Sequence, residues 1–230
     1  MSAQLLELRR ILKQRVPDAL PLPGRVVEPV STGIAELDRI LPGGGLPRGR
    51  LTVWMPQGGA ASVLRAACQA TVGAGERSVW IDGMGTVAGA SWEEGPILVR
   101  PKSRKHALRS VDELLRSGAF ALVVLAGAEP EGTETVRLSR AAREGGGAFV
   151  ALTANASLAS LRLTSRILPH SYRWRRDPFG DPAEVEDATV QVRARSLGWN
   201  AHTQLRIPVM RYDLRLSLDP GVVDRRGLPR

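Results

Sequence analysis

Cysteine is nearly absent from these 230 residues, with Cys68 standing alone. One thiol cannot build an intramolecular disulfide framework, and it fits a reducing compartment. Histidine is scarce too: His106, His170 and His202 are scattered, and with a single cysteine they offer no metal-ligand spacing. No metal is expected. No stretch reaches the roughly 18 uncharged apolar residues of a membrane span, so no membrane contact is expected. The opening MSAQLLELRRILKQR threads charges through its apolar positions, without the separate apolar block of a secretory signal. A G-x-S-x-G elbow or another nucleophile signature is also missing, as are internal repeats and low-complexity segments.

Lysine is the third scarcity. Lys13, Lys102 and Lys105 are the only ones among 32 basic residues, which leaves 29 arginines. The codon bias of a GC-rich genome would account for arginine over lysine, but not for a net charge of +9 and a pI near 11.0. A positive excess of this size suits binding to a phosphate backbone, which is electrostatic and largely independent of sequence. The last 70 residues hold 13 basic and 8 acidic side chains, so the excess rises towards the C-terminus.

At 230 residues and 43% hydrophobic, the chain suits one compact domain with a sizeable core. Residues 2–16 read as an amphipathic helix with Leu5, Leu8 and Leu12 on one face, a candidate partner-binding surface unless it packs on its own body. A Pro-rich linker carries this segment (1–25) to a core over 26–218, and a polar tail follows over 219–230. Val26-Val27 is a candidate edge strand. Thr32 is placed to cap a helix running to Leu41. Strands are expected at 51–54, 79–82, 97–99, 121–125 and 149–152, alternating with helices at 61–72, 104–117 and 133–144. Such alternation means βαβ units and an α/β, mostly parallel, doubly wound sheet with helices on both faces. After Pro169 the strands follow one another without helices: 172–175, 188–195, 204–207 and 214–218 read as an antiparallel C-terminal extension.

One stretch points to chemistry. Gly49–Ser62 (GRLTVWMPQGGAAS) reads as a strand, a glycine-rich loop and a helix, which is how phosphate-binding loops are built. A working loop of this kind runs G-x-x-x-x-G-K-[S/T]. The aligned residues here are Met55-Pro56-Gln57-Gly58-Gly59-Ala60-Ala61-Ser62, which keep only the final hydroxyl.

The residues leading into it, Ser31-Thr32-Gly33-Ile34-Ala35-Glu36-Leu37-Asp38 and Gly44-Gly45-Leu46-Pro47-Arg48-Gly49-Arg50, resemble the start of the core of RecA-type recombinases. The likeness continues at Trp80-Ile81-Asp82, Ile97-Leu98-Val99 and Ala121–Leu125, and covers about residues 26–200. It implies a RecA-like fold. It also implies which catalytic groups are gone. Met55 and Ala60 replace the loop glycines, and Ala61 stands at the lysine that neutralises developing phosphate charge. Ala126 occupies the place of the magnesium-associated aspartate and Met84 that of the catalytic glutamate. A pseudo-ATPase with no cofactor is expected.

A short RecA-like chain with a broken loop, a separate N-terminal helix and a basic C-terminal region resembles the ImuA family, RecA-like accessory proteins of bacterial inducible-mutagenesis cassettes. That resemblance implies a non-catalytic role in damage-induced translesion synthesis and a cytoplasmic, nucleoid-associated protein. The implied partners are the polymerase-like subunit ImuB, RecA filaments and DNA, single-stranded and without sequence preference; self-association is a further expectation. Two other readings stand beside it: an interaction protein of the cell-division-inhibitor type, which shares the shortened RecA-like outline, and an active ATPase.

The DNA-contact candidates are arginines. Arg173, Arg175 and Arg176 flank Trp174, which is expected in the core rather than as a base-stacking platform. Arg162 and Arg166 are expected at i, i+4 on a helix. Arg193 and Arg195 share one strand face, opposite Val190, Val192 and Ala194. Trp92 and Trp199 fall in expected loops.

Overall fold

Apolar runs such as Leu122–Ala126 and Ala148–Leu152 are long enough to be strands and apolar on both sides, so they demand a sheet covered on both faces. The computed structural model, which describes residues 28–85, 87, 95–154, 158–176 and 178–208, has that sheet. Its strands are β1 (Leu51–Trp54), β2 (Ser78–Asp82), β3 (Ile97–Val99), β4 (Leu122–Ala126), β5 (Ala148–Leu152), β6 (Leu161–Ile167), β7 (Arg173–Arg176), β8 (Pro182–Ser196) and β9 (Trp199–Pro208). The helices are α1 (Ala35–Ile40), α2 (Ala60–Gly73), α3 (Arg104–Arg116) and α4 (Gly132–Gly145). The order β3-β2-β4-β5-β1-β6 is parallel throughout. Beyond β6, β8 runs antiparallel and carries β6 and β7 end to end along one edge, with β9 along the other. This is the expected mostly parallel α/β sheet with an antiparallel C-terminal extension, consistent with a RecA-like fold.

The alternation of side chains along each strand splits the core in two. Trp54, Trp80, Val124 and Val150 meet α1 and α2 on one face, where Leu163, Val192, Ala194, Leu205 and Ile207 continue the layer. Val53, Ile81, Val123, Leu125 and Phe149 meet α3 and α4 on the other, through Leu108, Val111, Leu115 and Leu138. The second layer stops at β1, and no helix among the described residues covers the same side of β6, β8 and β9.

The S-T-G-x-x-x-L-D segment has a physical role. Asp38 accepts hydrogen bonds from the Ser31 hydroxyl at 2.7 Å, the Thr32 amide at 2.9 Å and the Thr32 hydroxyl at 2.7 Å. Thr32 is therefore not the helix cap expected from the sequence. Ile34 holds that position without a side-chain cap, because the Thr32 hydroxyl is drawn to Asp38. The carboxylate ties the segment before α1 to the helix, which packs on β9. Gly33, at φ 70°, lets this turn lie against Ala70 of α2, where a side chain would collide.

Two further expectations are corrected. Residues 161–167 form a strand, not a helix, because Leu161, Leu163 and Ser165 are buried in alternation with exposed Arg162 and Arg166. An i, i+4 pair shares a face in either structure, and the period of two decides between them. Trp199 opens β9 rather than sitting in a loop, and it packs partly buried against the first core layer. The N-terminal helix with Leu5, Leu8 and Leu12, Val26-Val27, Trp92, the strand at 214–218 and the tail lie outside the described residues.

Candidate functional site

The glycine loop follows β1 at the carboxyl end of the parallel strands, the end where open α/β sheets place their ligands. Here its atoms are engaged by the protein itself. The Trp54 indole N–H donates to Ser165 Oγ at 3.1 Å, and that hydroxyl donates to the Gln57 carbonyl at 2.9 Å. The Met55 amide donates to the Leu163 carbonyl at 3.0 Å and the Gln57 amide to the Met55 carbonyl at 2.8 Å. Gly58, at φ 61°, lies so close to β6 that a Cβ would sit 2.6 Å from Arg166 Cα and nearer still to the Ser165 carbonyl. Gly59 rests against Val190 of β8 and starts α2 in a left-handed conformation. Ala60 is buried, Ala61 is exposed and Ser62 half-buried. Gly58 and Gly59, both at variable positions of the loop pattern, thus serve contact with the β6–β8 extension.

The other substituted positions stand at neighbouring strand ends. Asp82 pairs with Ala126 across β2 and β4, and the Gly83 amide donates to the Ala126 carbonyl at 2.8 Å. Met84 is 72% exposed and leans over Gly127, while buried Asp82 accepts from the Val87 amide at 2.8 Å. The carboxyl ends of β1, β2 and β4 lie along one edge of the parallel sheet, with Met55, Ala61, Met84 and Ala126 at the positions the resemblance assigns to its chemistry. No group of three or more His, Cys, Asp or Glu residues among those described could hold a metal ion.

The candidate arginines divide into two sets. Those of β7 are engaged locally. Arg173 pairs with Glu186 at 3.1 Å and with buried Asp187 at 2.6 Å, and Arg176 donates to the Gly180 carbonyl at 2.7 Å. Trp174 between them is 50% exposed, which corrects its expected place in the core. β7 pairs only with β8, its register shifts on both sides of Trp174–Arg175, and all four of its residues are exposed.

Arg162, Arg166, Arg193 and Arg195 form the other set, and the structure brings them together on one face. Arg162 of β6 stands opposite Arg195 of β8, Thr164 opposite Arg193 and Arg166 opposite Gln191. β9 extends the same rungs with Asn200 beside Arg195, His202 beside Arg193, Gln204 beside Gln191 and Arg206 beside Thr189. Arg166 donates to Gln191 Oε1 at 2.8 Å, and among the described residues Arg193 and Arg195 have no ion-pair partner. The lone carboxylate on these rungs is Asp187 at the far end, held between Arg173 and Arg206.

The β9 members of this face went unread, because the expected strand began at Gln204. The signal was present in the alternation of Asn200, His202, Gln204 and Arg206 with Ala201, Thr203, Leu205 and Ile207, after a Leu197-Gly198 turn. Ser165 went unread too, since a lone serine in a strand carries no sequence mark.

The arginines along α3 and α4 are mostly paired with carboxylates. On α3 and α4, Arg104 pairs with Glu134 at 2.5 Å, Arg109 with Glu113 at 2.8 Å, Arg140 with Glu144 at 2.7 Å, and Arg116 with both Asp112 and Glu144. The hydrogen bond from Arg104 holds the Glu134 carboxyl below the usual range. Arg193 and Arg195 differ from these arginines in having no acidic partner among the described residues. No helix among the described residues is long and apolar enough to cross a membrane. Compared with known proteins, the chain matches no family model and no curated protein.

Proposed function

We propose that this chain is a non-catalytic, RecA-like accessory protein of damage-induced mutagenic translesion synthesis, of the ImuA kind, acting through contacts with DNA and proteins. One observation carries the reading: the loop after β1 is a joint between sheet halves. Its Gln57 carbonyl and its Met55 and Gln57 amides bond within the protein, and its glycine faces the β6 backbone. Where an ATPase loop offers a lysine ammonium, this one offers the methyl of Ala61. Removing one electrostatic contact of that type costs about 3–4 kcal/mol of transition-state stabilisation. Ala126 and Met84 stand at the two acidic positions of the resemblance, which supports loss of the magnesium ligand and of the base. The net charge of +9 supports a polyanionic partner. The resemblance supplies the protein partners, an ImuB-type polymerase subunit and RecA filaments, and a place at the nucleoid.

Calorimetric titration with ATP and magnesium, followed by capture of a purified ImuB-type subunit, tests this. Absence of heat with retained capture is the expected result. Micromolar ATP affinity would return the chain to the ATPases.

A further inference from the structure

Resting on the DNA contact just proposed, we infer that the open face of β6, β8 and β9 is a platform for single-stranded nucleic acid, gripped by its phosphates and not by its bases. Arg162, Arg166, Arg193 and Arg195 occupy two adjacent strands in register, so their anchor points lie in one plane. Along a strand, same-face residues repeat every ~6.8 Å, and neighbouring strands stand ~4.8 Å apart. The result is a short double row of guanidinium groups with Arg162 and Arg195 at one end. Arginine suits this task because its planar fork binds phosphate oxygens bidentately.

The shape of the platform selects the ligand. A duplex backbone winds away from a plane, so a flat double row meets only a few of its phosphates. An extended single strand can lie along the row and place a phosphate at each rung. On the β9 side of the row, Asn200, His202 and Gln204 present polar side chains to sugars and base edges. No Phe, Tyr or Trp shares this face of the rungs, which removes the large stacking platform that single-strand binders commonly add. Affinity is therefore electrostatic, steep in salt and indifferent to base composition.

The test uses the full chain and fluorescent oligonucleotides of dT and dA, with matched duplexes as competitors, over a salt series. Three arginine-bearing rungs with one phosphate at each predict a slope of log K against log salt of about −2.1 on a single strand. The triple variant Arg162→Gln, Arg193→Gln, Arg195→Gln keeps the inner face of the strands and leaves one contact. Its slope should fall to about −0.7, with affinity at low salt weaker by roughly tenfold or more. Arg109→Gln with Arg140→Gln on α3 and α4 should change neither. Thermal melting of each variant verifies that the sheet is intact.

A triple variant that binds like the wild type would overturn the platform while leaving DNA binding as such in place. Stronger binding to duplex than to single strand would overturn the choice of ligand. Displacement of the oligonucleotide by poly-glutamate at equal charge would assign the face to an acidic protein instead. Failure of the wild type to bind at low salt would remove the platform and the DNA contact together.

Discussion

Arg162 and Arg195 stand directly opposite one another across the β6–β8 ladder. Like charges so placed destabilise a sheet, whereas an opposite pair stabilises it by about 0.2–1 kcal/mol. An arrangement that works against the fold points to a role in binding. The substitution Arg195→Glu should therefore raise the midpoint of urea unfolding, by up to about 1 kcal/mol in stability. The same change should weaken binding to single-stranded DNA. A lower midpoint would mean that the arginine pair is structural.

The loop joint makes a second prediction. Ser165→Ala removes the acceptor of the buried Trp54 indole N–H and the donor to the Gln57 carbonyl. Leaving such groups unpaired costs about 1–3 kcal/mol, readable in urea denaturation. Gly58→Ala should cost at least as much, because φ is 61° and a Cβ would press on β6. A nucleotide-binding loop would lose ATP affinity on these changes; here unfolding is the property that moves.

Restoring the lysine should not restore the enzyme. In Ala61→Lys the new ammonium would sit on an exposed position, but Ala126 and solvent-facing Met84 still supply no metal ligand and no base. Phosphate release from ATP should stay at background. Turnover above background would show that the acidic groups lie elsewhere in the chain.

Cys68 gives a pH prediction. Burial raises its thiol to about 12, offset in part by its hydrogen bond with Ser78. In the unfolded chain the thiol ionises near its ordinary value of about 8.5. The folded state therefore holds its proton longer, and above that value the unfolded state binds fewer protons, so stability falls as pH rises. The contribution is whole below pH ~8.5 and is lost as pH passes through about 12. Cys68→Ala should flatten that part of the stability profile. In the native protein a thiol reagent should label Cys68 only on the timescale of unfolding.

The parallel core was legible because periodicity and burial agree there. Leu122–Ala126 and Ala148–Leu152 are apolar on both sides and bounded by helices with single apolar faces, such as α3. The extension was harder to read. Arg162 and Arg166 fit a helix or a strand equally by spacing, and only the small inward Ser165 between apolar neighbours separates the two. Trp174 was misplaced for a different reason. Hydrophobicity gives its preference, but β7 runs along β8 with broken register and all its residues exposed, so no core reaches it. The loop substitutions could be read directly from residue types. What replaced their function could not, because contact of Gly58 and Gln57 with β6 joins residues more than a hundred positions apart.

Binding of a labelled oligo-dT strand, with and without ATP and magnesium, tests the central claim most directly. The account predicts the same affinity in both conditions, falling steeply as salt rises. Affinity that depends on the nucleotide, or no binding at low salt, would contradict it.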